Sequence, residues 1–485
     1  MKNILTTLLL LLSVITGYGQ SLSFSKAQKF NPKKELFSIG GWVQDHLMVF
    51  YTEKSKSYLD LYDANMERKA IVSLNFMPDA PNQVQLLPQA NQSLLIYSAQ
   101  LNSKEFFYVS RLDKDGKIVG RPKSIDTATQ NFFGNTKFSY QFIHSETNDK
   151  VGVFSYRIKD SKLSFQLTLV DDSLNVIHSS AHTVPTKSFF DIAQVVLKED
   201  GRVVILTTDL STNKNDEVAE AMVYVVTPED KRKADIKAHP FDFGDVFVAN
   251  IFLKEDINNT NQLHFAGLTK GKMGSLDGIF SGKIDLNTLN NEPITGKTVQ
   301  LDKNMGGAGL NQRGIIRNFV IQDIIVKNDG GLVLIAEAFA KIIKTNYTGP
   351  GYYNWGYGSM GTTRYVEYYY GNILLLNLDA GQHLISFSTI PKWQKSEDDY
   401  GIYSSYSLLN TGANMAFVYN DLLNRGYKVN STVANLDGQQ ETAEINTQMK
   451  GDNKWVPKMG KQTGAKEMLI PVLGGNKLQF VKINF

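Results

Sequence analysis

A short apolar strand motif recurs eight times along this 485-residue chain, and the repetition limits the possible folds more than any other feature. The copies begin at residues 47, 94, 151, 203, 263, 332, 415 and 468, and they read LMVF, LLIY, VGVF, VVIL, LHFA, LVLI, MAFV and MLIP. Short apolar runs bounded by turn residues are typical of buried strands. Each copy is therefore predicted to be the centre of one structural repeat.

A second element follows most copies: an alternating strand that ends in an apolar residue and aspartate, with turn residues after it. The aspartates are Asp63, Asp113, Asp171, Asp285, Asp379 and Asp437. At such a place an aspartate side chain accepts hydrogen bonds from the backbone of the turn. Because the residue repeats around the whole chain, we predict that it has an architectural role.

Four strands per repeat and a period of about 58 residues predict an all-β fold, the β-propeller. Eight four-stranded blades fit best, and seven remain an alternative if one repeat is irregular. The last repeat supplies only three strands, around residues 456–458, 468–470 and 478–480. Residues 22–25 (LSFS) are predicted to complete that blade as its outer strand, which would close the ring and remove exposed sheet edges.

The N-terminus has the order of a secretory signal peptide. Lys2 precedes an apolar run at residues 4–15 and the small residues around Gly17 and Gly19. Residues 1–19 are predicted to be the signal peptide and residues 20–485 a single propeller domain without a transmembrane segment. Because the chain has no cysteine, a bacterial lipid anchor is excluded. We expect an exported protein of the periplasm or cell surface of a Gram-negative bacterium.

The composition argues against several classes of function. A net charge of +3, from 51 basic and 48 acidic residues, does not suit nucleic-acid binding by phosphate neutralisation. His178 and His182 are expected on one face of a strand, but no third metal ligand is evident. No phosphate-binding glycine motif precedes a helix. We therefore predict no cofactor, no metal and no nucleic-acid partner.

The largest insertion, residues 342–371, lies between the second and third strands of the sixth repeat. Its centre carries Tyr352, Tyr353, Trp355 and Tyr357, diluted with glycine and asparagine. Tyrosine and tryptophan offer large rigid contact area at low entropic cost, which suits stacking on a sugar or contact with a protein. The alternative is that the rings pack over blade six or extend its sheet, and the sequence leaves both open.

Two neighbouring loops are predicted to share the same face as this insertion. Residues 391–400 connect blade six to blade seven, and the next loop within blade seven begins at residue 420. Their basic, amide, hydroxyl and acidic side chains make a candidate patch for a ligand or partner. Its members are Lys392, Trp393, Gln394, Asp399, Ser404, Asn420 and Asp421.

The same region carries a family resemblance. Residues 323–331 (DIIVKNDGG), 390–396 (IPKWQKS), 404–406 (SSY) and 419–421 (YND) resemble segments of secreted propeller-like proteins of Bacteroidota. The resemblance covers roughly residues 315 to 425, about a quarter of the chain. It implies an exported envelope protein and no particular activity.

Two hypotheses from different classes follow. The favoured one is a non-enzymatic binding or scaffold propeller that holds an envelope protein or a glycan through the loop face of blades five to seven. Docking on an outer-membrane protein would need no anchor. The alternative is a carbohydrate-active enzyme, a glycoside hydrolase or lyase, that uses acidic residues such as Asp399 on that face. No nucleophile motif accompanies the acidic residues, so the sequence leans away from an enzyme and leaves the question open.

Overall fold

The computed structural model describes residues 20–102, 104–129, 139–187, 190–209, 218–256, 258–271, 276–290, 292–301, 318–348, 361–421, 427–445, 447 and 453–485. These residues form eight antiparallel sheets, which are the eight blades of a β-propeller. The predicted fold class is confirmed, with eight blades and not seven. No helix in the described part of the chain is long and apolar enough to cross a membrane.

Each blade has four strands, named a to d from the central channel outward. Strands a to d of blade one are Phe37–Val43, His46–Glu53, Lys56–Tyr62 and Arg68–Ser73, and those of blade two are Gln83–Pro88, Gln92–Leu101, Lys104–Asp113 and Ile118–Thr129. Those of blade three are Ser139–His144, Lys150–Lys159, Lys162–Asp171 and Val176–Pro185. Those of blade four are Phe190–Leu197, Val203–Asp209, Glu220–Pro228 and Ala234–Asp242. Ile294–Thr295 adds a short parallel strand at the outer edge of blade four.

Blades five to eight follow the same order with some additions. Strands a to d of blade five are Phe247–Glu255, Gln262–Lys270, Leu276–Asp285 and Lys297–Gln300, and those of blade six are Phe319–Val326, Leu332–Thr348, Gly361–Leu378 and Leu384–Ile390, with Gln394–Glu397 as a fifth strand. Those of blade seven are Tyr406–Asn410, Asn414–Asp421, Lys428–Asn435 and Gln440–Ile445. In blade eight, strand a is Lys454–Trp455 with Lys461–Gly464, strands b and c are Glu467–Gly474 and Lys477–Asn484, and strand d is Ser21–Phe24 with Gln28–Lys29.

Strand b of every blade contains one of the eight apolar motifs, and its two faces explain why the motif is apolar throughout. Val203 and Ile205 pack toward blade three, whereas Val204 and Leu206 pack toward blade five. The same alternation produces one hydrophobic cluster between each pair of neighbouring blades, eight in all. Because successive residues of a strand point to opposite faces, a motif without alternation is buried on both.

The ring closes as predicted. Ser21–Phe24 pairs antiparallel with Lys477–Asn484, and Leu22 lies opposite Ile483. Leu22 and Phe24 pack on the cluster between blades seven and eight. The outer edge of the last blade is thereby covered by Ser21–Phe24, so that the described residues close the ring.

The inner strand of blade eight departs from the prediction. Residues 456–458 were expected in a strand, but Pro457–Met459 form a short 3-10 helix that separates Lys454–Trp455 from Lys461–Gly464. The expectation is wrong because Pro457 has no N–H to donate to a ladder, and its fixed φ favours a helical first turn. The 3-10 helix places Lys458 at the channel.

The repeated aspartates take the predicted architectural role in five blades. Asp113 is representative, since its Oδ1 accepts the N–H groups of Asp115 at 2.9 Å and of Lys117 at 2.8 Å. Equivalent bonds are made by Asp63, Asp171, Asp285 and Asp379. In blade seven the prediction named the wrong residue, because Asn435 accepts the turn N–H groups instead of Asp437.

Candidate binding site

The loops between strands b and c and between successive blades lie on one face of the ring, called the upper face here. On this face blade six differs from every other blade. Its strands b and c contain 17 and 18 residues, whereas strand b of the other blades contains 7 to 10. The hairpin therefore projects beyond the rest of the ring.

Much of the predicted insertion is sheet. Strands b and c remain paired from Phe339 opposite Tyr370 to Thr348 opposite Gly361. The interpretation that the insertion extends the sheet of blade six is confirmed for these residues. The hypothesised contact residues Tyr352, Tyr353, Trp355 and Tyr357 lie outside the described residues, and their role in binding stays a prediction.

The segment after blade six was expected to be a loop, and this is wrong for Gln394–Glu397. These residues pair with strand c, from Tyr370 opposite Gln394 to Glu367 opposite Glu397. They continue the edge where strand d ends, because strand c extends further than strand d and offers unpaired backbone groups. Residues 339–348, 361–370 and 394–397 together form a three-stranded sheet, called the platform below.

A buried carboxylate holds the three strands of the platform together. The side chain of Glu367 is 2% exposed and accepts Lys344 Nζ at 2.6 Å, Lys395 Nζ at 2.8 Å and the Tyr369 hydroxyl at 2.6 Å. These hydrogen bonds lower the pKa of Glu367 to about 2. Since the two lysines lie on different strands from Glu367, their ion pairs link all three strands.

Under the platform lies a second network, which contains two of the predicted patch residues. Lys392 Nζ lies 2.5 Å from Glu337 Oε1, and both side chains are at most 1% exposed. Lys392 also donates to Gln394 Oε1 at 2.9 Å. The hydroxyl of Ser405 donates to Glu337 Oε2 at 2.6 Å, and its N–H donates to Gln394 Oε1 at 2.8 Å. Burial lowers the pKa of Lys392, and the Glu337 carboxylate opposes this shift.

Asn420 joins three separate segments of blades seven and eight. Its Nδ2 donates to the carbonyls of Tyr403 at 2.7 Å and Trp455 at 2.9 Å, and its Oδ1 accepts the Tyr427 hydroxyl at 2.7 Å. The carbonyl of Asn420 accepts Gln394 Nε2 at 2.7 Å. Through this bond the segment after blade six is connected to strand b of blade seven.

The structure brings the predicted patch residues to one region but at different depths. Lys392, Gln394, Ser404 and Asn420 are buried, whereas Trp393, Asp399 and Asp421 are half-buried. The Trp393 ring lies 5.8 Å from that of Tyr369 and packs on the cluster between blades five and six. Asp399, the hypothesised catalytic carboxylate, accepts the N–H of Gly401 at 2.8 Å. That these residues contact a ligand stays a prediction.

Residues 398–405 have an unusual backbone. Asp398, Tyr400 and Ser405 adopt φ values of 50°, 58° and 65°, in the left-handed region that non-glycine residues seldom occupy. Gly401 also has positive φ, and a Cβ there would lie 2.7 Å from the Tyr370 ring. Such strain persists only where surrounding contacts impose it, and it concentrates at functional sites. The result is that Tyr400, 78% exposed, stands on the upper face beside the platform.

A cavity of about 950 Å³ lies in the central channel next to this segment, and the sequence did not indicate it. Its wall includes strand a of blades six, seven and eight. At the upper end lie Tyr370, Ser405 and Lys458, and at the lower end Asn410 and Gln462. In the sequence, the polar residues of these inner strands look like ordinary solvent-exposed positions, so they gave no indication of a cavity.

The two histidines considered as metal ligands do share a strand face. The Nε2 atoms of His178 and His182 lie 2.6 Å and 2.7 Å from the hydroxyl oxygen of Ser180. Within the described ranges, no group of three histidine or carboxylate side chains is placed to hold a metal ion. The expectation that the protein needs no metal stays a prediction.

Comparison with known proteins identifies no family for this chain. No family profile matches the sequence, and no curated protein does. Solved structures with some similarity include the β-propeller domain of Vanderwaltozyma polyspora Nup133, at 11% identity and TM-score 0.39, over 83% of this chain and 100% of that one. Another is a Synechocystis apocarotenoid oxygenase, at 10% identity and TM-score 0.31, over 74% of each chain. A subtype N10 neuraminidase-like protein of A/little yellow-shouldered bat/Guatemala/060/2010 has 10% identity and TM-score 0.30, over 66% of this chain and 94% of that one.

Proposed function

We propose that this protein is an exported, non-enzymatic binding propeller of the bacterial envelope, and that it holds a partner protein on the upper face of blades six and seven. The observation that carries the proposal is the platform. It is the one place where the described residues extend a blade well beyond the ring, and its strands are joined by the ion pairs of Glu367. A β-propeller is in general a rigid scaffold for binding loops.

The surface of this region has the character of a protein interface. Ile343 on the platform is 50% exposed and Tyr400 beside it is 78% exposed. Tyrosine is among the residues that contribute most binding energy at interfaces, and an exposed apolar residue next to it adds contact area. The basic side chain of Lys341, on the same face of the strand as Ile343, favours a partner with an acidic rim.

The envelope location is supported by the sequence. Lys2, the apolar run at residues 4–15 and the small residues that follow have the pattern of a secretory signal peptide. The resemblance of residues 315–425 to secreted propeller-like proteins of Bacteroidota supports the same location. A partner in the outer membrane would hold the protein at the envelope without a lipid anchor.

The proposal is tested by shortening the platform without disturbing the network beneath it. Residues 346–363 are replaced by Asn-Gly, which joins Thr345 to Arg364, a directly opposed pair, by a two-residue turn. The variant keeps Lys344, Glu367 and Lys395, and it also carries Ile343→Ser and Tyr400→Asn, which remove the two exposed side chains of this surface. Crosslinked affinity purification from native envelopes is expected to recover a partner with the wild type and to lose it with the shortened form.

A matched control is Leu101→Ser. Leu101 is 60% exposed and ends strand b of blade two, so it offers an apolar upper-face residue away from the platform. This variant is expected to recover the partner as the wild type does. A partner that survives the shortening would contradict the assigned face, and the absence of any partner in all three samples would contradict the binding function.

A further inference from the structure

The cavity in the central channel is a second place where this protein can hold a ligand. Its volume of about 950 Å³ lies at the upper end of the range of small-molecule sites. It lies inside the ring below the platform, so an inference about it does not depend on the partner protein.

Several polar side chains of the cavity are already bonded to the protein. Ser405 donates to Glu337, Ser407 donates to the Pro457 carbonyl at 2.5 Å, and Gln462 bonds the backbone of Asn410 at 2.9 Å and 3.0 Å. These bonds fix the wall of the cavity. The remaining groups are the ones that a ligand would meet.

Two of the remaining groups both donate and accept hydrogen bonds. Within the described part of the chain, the amide of Gln322 and the hydroxyl of Tyr406 have no hydrogen-bond partner, and both residues line the cavity. Burial and the nearby carboxylates of Glu337 and Asp323 raise the pKa of Tyr406, so its hydroxyl stays protonated. An amide and a phenol at one wall suit a ligand that carries hydroxyl groups.

The charges of the cavity balance one another. Lys254 Nζ lies 3.2 Å from Asp323 Oδ1, and the remaining cation, Lys458, faces the same channel as the remaining anion, Glu146. An anionic ligand would meet two carboxylates and a cationic one two ammonium groups. A neutral ligand meets no net charge, and Phe339 and Tyr406, which also line the cavity, provide apolar contact for the C–H groups of a sugar ring.

We propose that the cavity binds a neutral oligosaccharide, with Gln322 and Tyr406 as hydrogen-bonding residues for its hydroxyl groups. The volume exceeds that of one sugar ring and suits a ligand of about two or three. Two contacts hold the cavity wall in place. Lys254 forms an ion pair with Asp323, and Lys458 Nζ donates to the Tyr370 hydroxyl at 3.0 Å.

The test uses the protein lacking residues 1–19 on an array of neutral and anionic oligosaccharides, followed by calorimetric titration of the strongest neutral binder. Gln322→Ala and Tyr406→Phe are each expected to raise its Kd about tenfold, as the loss of one buried hydrogen bond does. Gln83→Ala, an exposed glutamine in strand a of blade two, is the control and is expected to leave Kd unchanged.

Binding only to anionic saccharides, binding to none, or neutral binding that all three variants leave unchanged would overturn this proposal. The form with residues 346–363 replaced separates it from the proposed function. That form keeps every residue of the cavity wall named above and is expected to bind the saccharide with the wild-type Kd while losing the partner protein. The experiments can therefore contradict the saccharide site without contradicting the partner-binding face, and the reverse.

Discussion

At the scale of single residues, the most consequential contact is the buried ion pair of Lys392 and Glu337. Both groups are removed from water, and their separation of 2.5 Å compensates part of the cost of desolvation. Ser405 ties the pair to residues 398–405, and Gln394, which donates to the Asn420 carbonyl, ties it to strand b of blade seven. A pair of this kind specifies which segments meet, more than it adds net stability.

Removing one partner of this ion pair should be strongly destabilising. Lys392→Met leaves the Glu337 carboxylate buried without its cation, at an expected cost of about 3–5 kcal/mol in the free energy of unfolding. Urea unfolding measures the change. The matched control is Lys428→Met, which breaks an ion pair with Glu444 whose side chains are more than half exposed, and little change is expected. Equal effects of the two variants would contradict the assigned role.

A second residue-scale prediction concerns pH. Burial raises the pKa of Asp126 to about 6, although its Oδ1 accepts Gln166 Nε2 from blade three at 2.6 Å. The unfolded chain releases this proton near pH 4 and the native protein near pH 6, so Asp126 makes unfolding easier as pH rises through that interval. Asp126→Asn has no proton to release. Between pH 4 and pH 7 the free energy of unfolding of Asp126→Asn, measured in urea, should rise relative to that of the wild type by roughly 2–3 kcal/mol. A difference between the two proteins that does not change with pH would contradict the raised pKa of Asp126.

At the scale of elements, the segment of residues 398–405 is determined by what it packs against. Gly401 has a φ of 66° and contacts the Tyr370 ring, and Ser405 is held at positive φ by its bonds to Glu337 and Gln394. The inner network and the strained segment are thus one unit. This unit positions Tyr400 on the upper face.

Gly401 in this segment and Gly412, in the turn between strands a and b of blade seven, distinguish the cost of positive φ from the cost of a steric clash. Gly401→Ala should cost roughly 1–2 kcal/mol for its positive φ and about 1–3 kcal/mol more for the contact with Tyr370. Gly412→Ala, at a φ of 85° with no atom within 4 Å of the added Cβ, should cost only the first amount. Thermal unfolding of both variants measures the difference. Equal losses would mean that Tyr370 moves aside freely.

The sequence allowed some of these elements to be predicted and not others. Eight strands b were recognisable because burial on both faces removes alternation, as in residues 203–206. The clustering of Lys392, Gln394 and Asn420 followed from loop connectivity. The contribution of Glu337 could not be predicted in this way. Glu337 lies in strand b beside a register shift between residues 337 and 339, and only the strand pairing in the structure shows that shift. The platform was ambiguous because tyrosine suits both strands and contact loops.

At the scale of the whole molecule, the N-terminal strand determines whether the ring is closed. Deleting residues 20–26 removes the pairing of Ser21–Phe24 with Lys477–Asn484 and exposes an outer edge. The expected result is a melting temperature lower by about 5 °C and association at high concentration. A synthetic peptide of residues 20–29 should restore the melting temperature. A deletion variant as stable as the wild type would contradict closure by this strand.

The assembled ring brings together residues that no single repeat contains. Gln322 of blade six, Tyr406 of blade seven and Lys458 of blade eight face one cavity, while the platform stands above it on blade six alone. The interblade clusters recur around the ring, whereas the extended strands of blade six and the polar wall of the channel belong to particular blades. Both proposed binding sites lie where the repeats differ.

A photoreactive amino acid placed at position 343 in living cells tests whether the platform is the binding face. Position 385 on the same blade is the control, since Ile343 is 50% exposed on the platform and Ile385 is 58% exposed on strand d. We expect a discrete crosslinked protein from position 343 and none from position 385. Crosslinking from position 385 alone, or from neither, would contradict it.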